Sequence, residues 1–236
     1  MISETRIRNF KSLESVDLKL GHFNLLVGAN ASGKSNFLDA LRFLQGVGNG
    51  LALDEILDGK PPSGATARWA GIRGGTKSVA FRRPDGTAAE KVGFHVAVTG
   101  REPAEGDRNE LIYDFSFRIA NGGSAFGDES LSQGTMRIAR AENTDNAGPR
   151  IVKSKTGEHE IDVSKFNLLT SYSLADIALK GAGYELEKMK IEGGDPKGRA
   201  RRLEGIVQVS RALRDIQFLD PLPSVLRDYS SIGVFT

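Results

Sequence analysis

Residues 28–36 read GANASGKSN, and this stretch decides the fold of the first part of the chain. It fits the pattern G-x-x-x-x-G-K-[ST] of a phosphate-binding loop. In such a loop, glycines let successive backbone N–H groups approach phosphate oxygens, and the following helix adds its free N–H groups and dipole. We therefore expect a nucleotide site in which Lys34 contacts the β- and γ-phosphates and the Ser35 hydroxyl binds Mg²⁺.

The residues on either side of the loop match the context that the motif requires. Residues 23–27, FNLLV, form a short apolar run that predicts a buried strand leading into the loop. After Ser35, the apolar residues Phe37, Leu38, Leu41 and Leu44 recur at helical spacing. The alternative, a chance glycine loop between a strand and a helix, does not account for this order of elements.

The segments around this unit predict strands first and helices later. Residues 2–20 predict two short strands joined near residues 11–14, and residues 51–77 predict a short helix followed by loop. From residue 78 to about residue 163, strand-like runs beginning with SVAFRR alternate with turn signals such as PDG and NGG. This alternation indicates an antiparallel meander.

The C-terminal third of the chain carries helical patterns. They cover about residues 165–179 and 198–214, and a strand-like IQFLD follows at residues 216–220. In the second helical pattern we expect one apolar face, formed by Leu203, Ile206, Val207 and Leu213.

Composition limits the class of protein. Of the 236 residues, 39% are hydrophobic and 26% are charged, as in an ordinary globular protein. No apolar stretch approaches the roughly 18–20 residues that span a bilayer, and a secretory signal is absent, so we expect a cytoplasmic protein with no membrane partner. The lack of cysteine excludes disulfides, and the wide spacing of His22, His95 and His159 argues against a metal cluster.

The order of motifs resembles the SMC, RecF and OLD-type branch of ABC ATPases, and within it a bacterial group of predicted ATPases. The resemblance rests on RIRNFKSL at residues 6–13, a second strand, FNLLVGANASGKSN at 23–36 and FLDALRFL at 37–44. Asn30 and Asn36, which the generic loop pattern leaves free, narrow the resemblance to this branch. Beyond residue 45 it is weaker, although FLDPLPSVLR at residues 218–227 also looks like those proteins.

This resemblance implies an α/β fold of the P-loop NTPase type, an ABC-type head with ATP and Mg²⁺ as cofactors. Residues 1–170 would form the nucleotide-binding lobe, with a mixed sheet plus the antiparallel meander. Residues 171–236 would form a helical segment and the start of a second, truncated lobe. The residues implied to bind nucleotide are Gly28, Asn30, Ala31, Ser32, Gly33, Lys34, Ser35, Asn36, Lys11 and Ser12, with Ser35 as the metal ligand.

For three residues, the role that the resemblance implies has an alternative. Lys11 and Ser12 would lie on the base and α-phosphate side of the nucleotide, but both residues are also common in turns. Gln217 could be the glutamine at the junction of the lobes that contacts Mg²⁺ or water, or a strand residue with an exposed amide.

Two segments of this chain resemble motifs that the family uses for hydrolysis. The family uses an apolar strand ending in Asp-Glu and an L-S-x-G signature donated by a second head. LALDEI at residues 51–56 resembles the acidic strand, but its spacing predicts a helix with a solvated acidic face. LSQGTMR at residues 131–137 resembles the signature, but turn and strand residues follow it, so we expect a hairpin with Glu129 and Leu131 in a strand. We therefore assign no catalytic residue with certainty.

Two functions of different classes are compatible with this site. The first is the ATP-binding part of an ATPase that dimerises around ATP and Mg²⁺ and drives an effector, such as a nuclease, or acts on DNA in repair or anti-phage defence. The second is a non-catalytic nucleotide-sensing or oligomerisation subunit. A GTPase is disfavoured because we find no N-K-x-D base-reading motif, and a small-molecule kinase because such kinases rarely carry a meander of this length. We expect this chain alone to bind ATP weakly or not at all, without turnover.

The evidence for DNA binding in the sequence is confined to one patch. The net charge of +2 predicts no overall attraction to nucleic acid. Lys197, Arg199, Arg201 and Arg202 could contact phosphates, or they could form the solvated start of a helix balanced by nearby acidic residues.

Overall fold

A computed structural model describes most of the N-terminal half of the chain and parts of the C-terminal half. The described residues are 1–62, 69–99, 110–120, 123–134, 136–141, 150–154, 157–161, 167, 169–170 and 196–218. The strands are β1 (Ile2–Phe10), β2 (Leu13–Lys19), β3 (Lys91–Val98), β4 (Leu111–Ala120), β5 (Gly123–Gln133), β6 (Met136–Ala141), β7 (Arg150–Ser154) and β8 (Gly157–Ile161). The helices with at least four described residues are α1 (Lys34–Gly48), α2 (Leu53–Asp58), α3 (Gly75–Ser78) and α4 (Pro196–Arg214).

Six strands form one sheet in the order β2-β1-β3-β4-β5-β6, and β7 pairs with β8 in a separate hairpin. The α/β class and the antiparallel meander are confirmed. All strand pairs in the described residues are antiparallel. The parallel part of the expected mixed sheet therefore has no counterpart among these residues.

Local turn chemistry forms the hairpins at both ends of the sheet. β1 and β2 are joined by a tight turn in which Phe10 pairs with Leu13, as the sequence predicts. β5 and β6 meet at Gly134, whose φ of 58° suits glycine, and Gln133 pairs with Met136. The described residues of the signature-like segment, 131–134 and 136–137, thus belong to a hairpin, as expected.

Helix α1 covers one face of the sheet through an aromatic cluster. Phe43 stacks on Phe94 with ring centroids 5.2 Å apart and on Phe117 at 4.8 Å. Phe94 stacks in turn on Phe115 at 5.1 Å, and Phe10 meets Phe43 edge to face. These rings are buried, so the cluster anchors the helix that begins at the phosphate loop.

Helix α2 contains the segment that resembles an acidic strand, and its helical prediction is confirmed. Leu53, Ile56 and Leu57 are buried. The Glu55 carboxylate accepts a hydrogen bond from the Ala52 N–H at 3.0 Å and pairs with Lys60 at 2.7 Å. Glu55 therefore caps the helix instead of facing a metal site.

Helix α4 confirms the second helical pattern and corrects its buried face. Ile206, Val209 and Leu213 are buried, whereas Val207 is exposed. Val207 lies about 100° around the helix from Ile206, outside the stripe that faces α1. The side chain of Leu203 and most of the predicted helix at 165–179 lie outside the described residues.

Three strand predictions are wrong. Residues 23–27 lie outside every strand of the described sheet and are exposed, because no described strand flanks them. Residues 78–83 belong partly to α3 and otherwise form only isolated bridges, at Ala80 and Arg82. Residues 216–218 have no regular structure, and the rest of that prediction lies outside the described residues.

In the part of the chain that the structure describes, no helix is both long and apolar enough to cross a bilayer.

Candidate nucleotide-binding site

The backbone of the loop between Gly28 and Lys34 adopts conformations that small residues favour. Gly33 has a φ of 91° and Ala31 a φ of 64°, both in the left-handed region. A Cβ on Gly28 would lie 2.9 Å from the Ser32 hydroxyl. The loop therefore closes tightly on itself, as a cradle for an anion requires.

The N-terminus of α1 leaves its first backbone N–H groups available. Gly33 is the cap residue and supplies no side-chain hydrogen bond, and the first turn contains no acidic residue. The first of the helical hydrogen bonds runs from the Phe37 N–H to the Gly33 carbonyl at 2.9 Å. Free N–H groups and the positive end of the helix dipole suit a phosphate.

Lys34 and Ser35 add the side-chain chemistry. The Lys34 ammonium donates to the carbonyl oxygens of Gly28 and Ala29, both at 2.6 Å, so it lies across the loop. Ser35 is exposed, and its hydroxyl has no hydrogen bond to a described residue. A cation over the cradle with a hydroxyl beside it fits a phosphate chain with Mg²⁺.

The structure brings Ser12 to this loop. The Asn36 amide donates a hydrogen bond to the Ser12 hydroxyl at 2.6 Å. The same hydroxyl oxygen lies 3.8 Å from the position that a Cβ on Gly33 would take. Asn30 is exposed in the turn of the loop. The nucleotide contacts assigned to these residues stay predictions.

Lys11 reaches a different partner, a carboxylate that the sequence reasoning missed. Its ammonium pairs with Asp39, which is only 3% exposed. Arg73, from the loop before α3, donates to the same Asp39 oxygen through Nε at 3.1 Å and Nη2 at 2.8 Å. We call Lys11, Asp39 and Arg73 the Asp39 cluster. The sequence contained a signal for these ion pairs. Asp39 falls among the apolar positions of α1, where a carboxylate needs cationic partners.

The Asp39 cluster alters the acidity of its members. Burial alone raises the pKa of Asp39, but the hydrogen bonds from Arg73 and Lys11 outweigh it and hold the pKa below its usual value. The hydrogen bond to Asp39 raises the pKa of Arg73. Asp39 therefore stays ionised in the folded protein at any pH near neutrality.

A pH dependence of stability follows from this lowered pKa. The ionised carboxylate stabilises the fold fully above the pKa of Asp39 in the unfolded chain, roughly 4, and the contribution disappears as pH falls through the lower folded value. We expect the free energy of unfolding to fall more steeply below pH 4 in the wild type than in Asp39→Asn. Urea titrations between pH 3 and pH 7 measure this slope, and parallel curves would contradict the prediction.

The other candidate residues lie apart from the loop or outside the described side chains. Gln217 is exposed just after α4. His95 lies on β3, as expected for a strand residue, and its Nδ1 is 2.7 Å from the Asp114 carboxylate on β4. The side chains of Lys197, Arg199, Arg201 and Arg202 lie outside the described part of the chain.

Comparison with known proteins adds matches to part of the chain. A family model described as an AAA ATPase domain matches residues 1–60. The DNA replication and repair protein RecF of Glaesserella parasuis serovar 5 (strain SH0165) is 48% identical over 44 residues, which cover 18% of this chain and 12% of RecF. RecF of Pasteurella multocida (strain Pm70) is 50% identical over 44 residues, with the same coverage. The matched segment thus spans only 12% of the length of these curated relatives.

A solved structure from work on the "Structural biochemistry of ATP-driven dimerization and DNA stimulated activation of SMC ATPases" covers 58% of this chain and 70% of its own, with 20% sequence identity and a TM-score of 0.35.

Residues 28–36 form a tight loop that leads into an uncapped helix N-terminus, and they lie within the segment that matches an AAA ATPase domain. This region is therefore similar to an AAA ATPase domain, and 44 residues of the chain are similar to RecF.

Proposed function

We propose that this chain is the ATP-binding part of an SMC/RecF-like ATPase that dimerises around ATP and Mg²⁺. The observation that carries the proposal is the geometry of residues 28–36. A tight loop leads into an uncapped helix N-terminus, with the Lys34 ammonium across the loop and the Ser35 hydroxyl exposed beside it. Positioning and charge neutralisation of a triphosphate are the chemistry that these groups supply.

Hydrolysis needs further residues besides those of the phosphate loop. The segment that resembles an acidic strand is helix α2, and the segment that resembles the signature is the β5–β6 hairpin. The Glu55 carboxylate of α2 is engaged by the Ala52 N–H and Lys60, and residues 131–137 contain no carboxylate. In this proposal, a second lobe, a second head or a partner chain supplies the water-activating and signature residues.

The apolar segment at residues 23–27 supports the proposal that further elements complete the site. Phe23, Leu25 and Val27 are 74%, 77% and 82% exposed. No backbone hydrogen bond joins this segment to other residues in the described ranges. An apolar run exposed on all sides, directly before the phosphate loop, has the character of a strand that is buried between neighbours in a completed sheet.

The proposed role extends to an effector. In this function, closing of two heads on ATP passes a conformational change to an attached nuclease or to DNA, in repair or in defence against phage. The RecF relatives are named for DNA replication and repair. A non-catalytic nucleotide-sensing or oligomerisation subunit is the alternative. It is favoured by the lack of hydrolytic residues in the described part of the chain.

The proposal predicts that nucleotide binding depends on Lys34. We expect weak binding of Mg·ATP by the wild type, and a loss of roughly tenfold or more in Lys34→Ala, because the charge-assisted contacts to the phosphates disappear. Competition with a fluorescent ATP analogue measures both affinities. Lys77→Ala, an exposed lysine in α3, is the matched control and should bind like the wild type.

Equal affinities of the wild type and Lys34→Ala would exclude the phosphate loop as the site. A steady-state assay tests the second part of the proposal. Mg²⁺-dependent release of phosphate by this chain alone, abolished in Lys34→Ala, would show that the hydrolytic residues are present after all. Turnover that appears only on mixing with a partner protein would favour the alternative function.

A further inference from the structure

Side-chain contacts join the β1–β2 turn to helix α1. The Asn36 amide donates a hydrogen bond to the Ser12 hydroxyl, and Lys11 pairs with Asp39. Asn36 and Asp39 are three residues apart and are therefore neighbours on the helix surface. The turn is thus attached along the first two turns of the helix that carries Lys34 and Ser35.

Lys11 occupies a backbone conformation that disfavours a side chain. Its φ is 53°, in the left-handed region, where a residue with a Cβ is strained by about 1 kcal/mol. Glycine would relieve that strain, but it would also remove the ammonium that reaches Asp39. The Lys11 N–H donates to the Val79 carbonyl at 2.7 Å, which holds the strained residue in place. Lysine at this position therefore has a role in attaching the turn to α1.

Arg73 completes the Asp39 cluster from a loop whose conformation is held independently. The Ile72 N–H donates to the Leu57 carbonyl at 3.1 Å, and the Thr76 N–H donates to the Asp58 carboxylate at 2.9 Å. Two guanidinium nitrogens of Arg73 point at Asp39, although the side chain is 58% exposed. Because Ile72 and Thr76, on either side of Arg73, are bonded to α2, the guanidinium approaches Asp39 from a defined direction.

Two cations therefore share one buried carboxylate, and both interact with its Oδ2 atom. Asp39 lies four residues after Ser35 in α1, about one helical turn away on the same face. The Lys11 ammonium contacts the same Oδ2 atom as Arg73, and Lys11 adjoins Ser12 in the chain. The Asp39 cluster is thus a physical connection between the loop around residue 73 and the phosphate loop.

We propose that Arg73 is a positioning residue for the phosphate loop, which acts through Asp39 and Lys11 to hold Ser12 against Asn36. This inference rests on the proposed nucleotide site. It assigns to Arg73 no contact with the nucleotide. It also predicts that the loop around residue 73 and the nucleotide site influence each other reciprocally, because a coupling between two sites acts in both directions.

The first test needs no nucleotide. Amide hydrogen exchange of the β1–β2 turn is compared in the wild type, Arg73→Ala, Arg73→Lys and Arg82→Ala. Arg82 is an exposed arginine on a neighbouring segment and serves as the matched control. We expect exchange in the turn to rise about 3- to 10-fold in Arg73→Ala, to recover in part in Arg73→Lys, and to stay unchanged in the control.

The second test separates positioning from direct contact. Affinity for Mg·ATP is measured for Arg73→Ala, Ser12→Ala and the double variant, with unfolding followed by the fluorescence of Trp69. We expect Arg73→Ala to weaken binding about 3- to 10-fold, and the double variant to lose less than the sum of the two single losses. Fluorescence-detected unfolding establishes that Arg73→Ala is folded under the conditions of the binding assay, so that a loss of affinity is not a loss of folded protein.

Additive losses of affinity would mean that Arg73 acts independently of the turn, and the proposal would be abandoned. The proposal would also be abandoned if amide hydrogen exchange of the β1–β2 turn were unchanged in Arg73→Ala. If the wild type binds no ATP, the proposed function fails, and the exchange measurement still decides whether Arg73 positions the turn.

Discussion

Replacement of Phe43 by alanine is expected to reduce the free energy of unfolding by about 3–5 kcal/mol. The Phe43 ring is fully buried and stacks on Phe94 and Phe117 at 5.2 and 4.8 Å, so its loss leaves a cavity between α1 and the sheet. Neighbouring rings fixed on strands cannot move in to fill that cavity. Urea unfolding followed by circular dichroism measures the change.

The same substitution at an exposed phenylalanine provides the control. Phe23 is 74% exposed, so Phe23→Ala should change the free energy of unfolding by less than about 0.5 kcal/mol. Phe43→Leu, which keeps most of the volume, should cost clearly less than Phe43→Ala. Equal stabilities for Phe43→Ala and Phe23→Ala would show that the aromatic cluster does not anchor α1.

Replacement of Gly48 by alanine is expected to push α4 away from α1. A Cβ on Gly48 would lie 2.6 Å from the Arg214 backbone nitrogen and 2.8 Å from the Ser210 carbonyl oxygen. Backbone atoms of a helix cannot turn aside, so the two helices must separate. We expect a loss of about 1–3 kcal/mol in the free energy of unfolding, despite the better helix propensity of alanine.

Gly46 offers a matched comparison in the same helix. A Cβ there would meet side-chain atoms of Ile56 at 2.9 Å and of Trp69 at 3.2 Å, and side chains can adjust. Gly46→Ala should therefore cost less than Gly48→Ala in the same unfolding measurement. Hydrogen exchange near Leu213 should increase only in Gly48→Ala, and an increase in both variants would contradict the role of Gly48.

The parts of the fold that depend on local sequence were predictable. The phosphate loop, the β1–β2 hairpin and helix α2 each follow from neighbouring residues, through glycines, turn residues or helical spacing. Strand β3 was predictable because Val92, Phe94, Val96 and Val98 alternate with more polar residues and are buried in the sheet. Each of these patterns can be recognised within a few consecutive residues.

The features that depend on distant partners were not predictable. Residues 23–27 have the composition of a buried strand, but composition does not say whether flanking strands are present. The pairing of Asp39 with Lys11 and Arg73 joins residues 28 and 34 positions away in the chain. Similarly, only the docking of α4 on α1 decides that Val209 is buried and Val207 exposed. Each outcome is set by tertiary contacts.

The segment at residues 23–27 also has a consequence for handling the protein. Its five residues, FNLLV, carry no charge and no proline, and they present unpaired backbone groups next to large apolar side chains. Such a segment is a template for intermolecular β-pairing and aggregation. Without a strand or partner that covers these residues, the chain should therefore self-associate as its concentration rises.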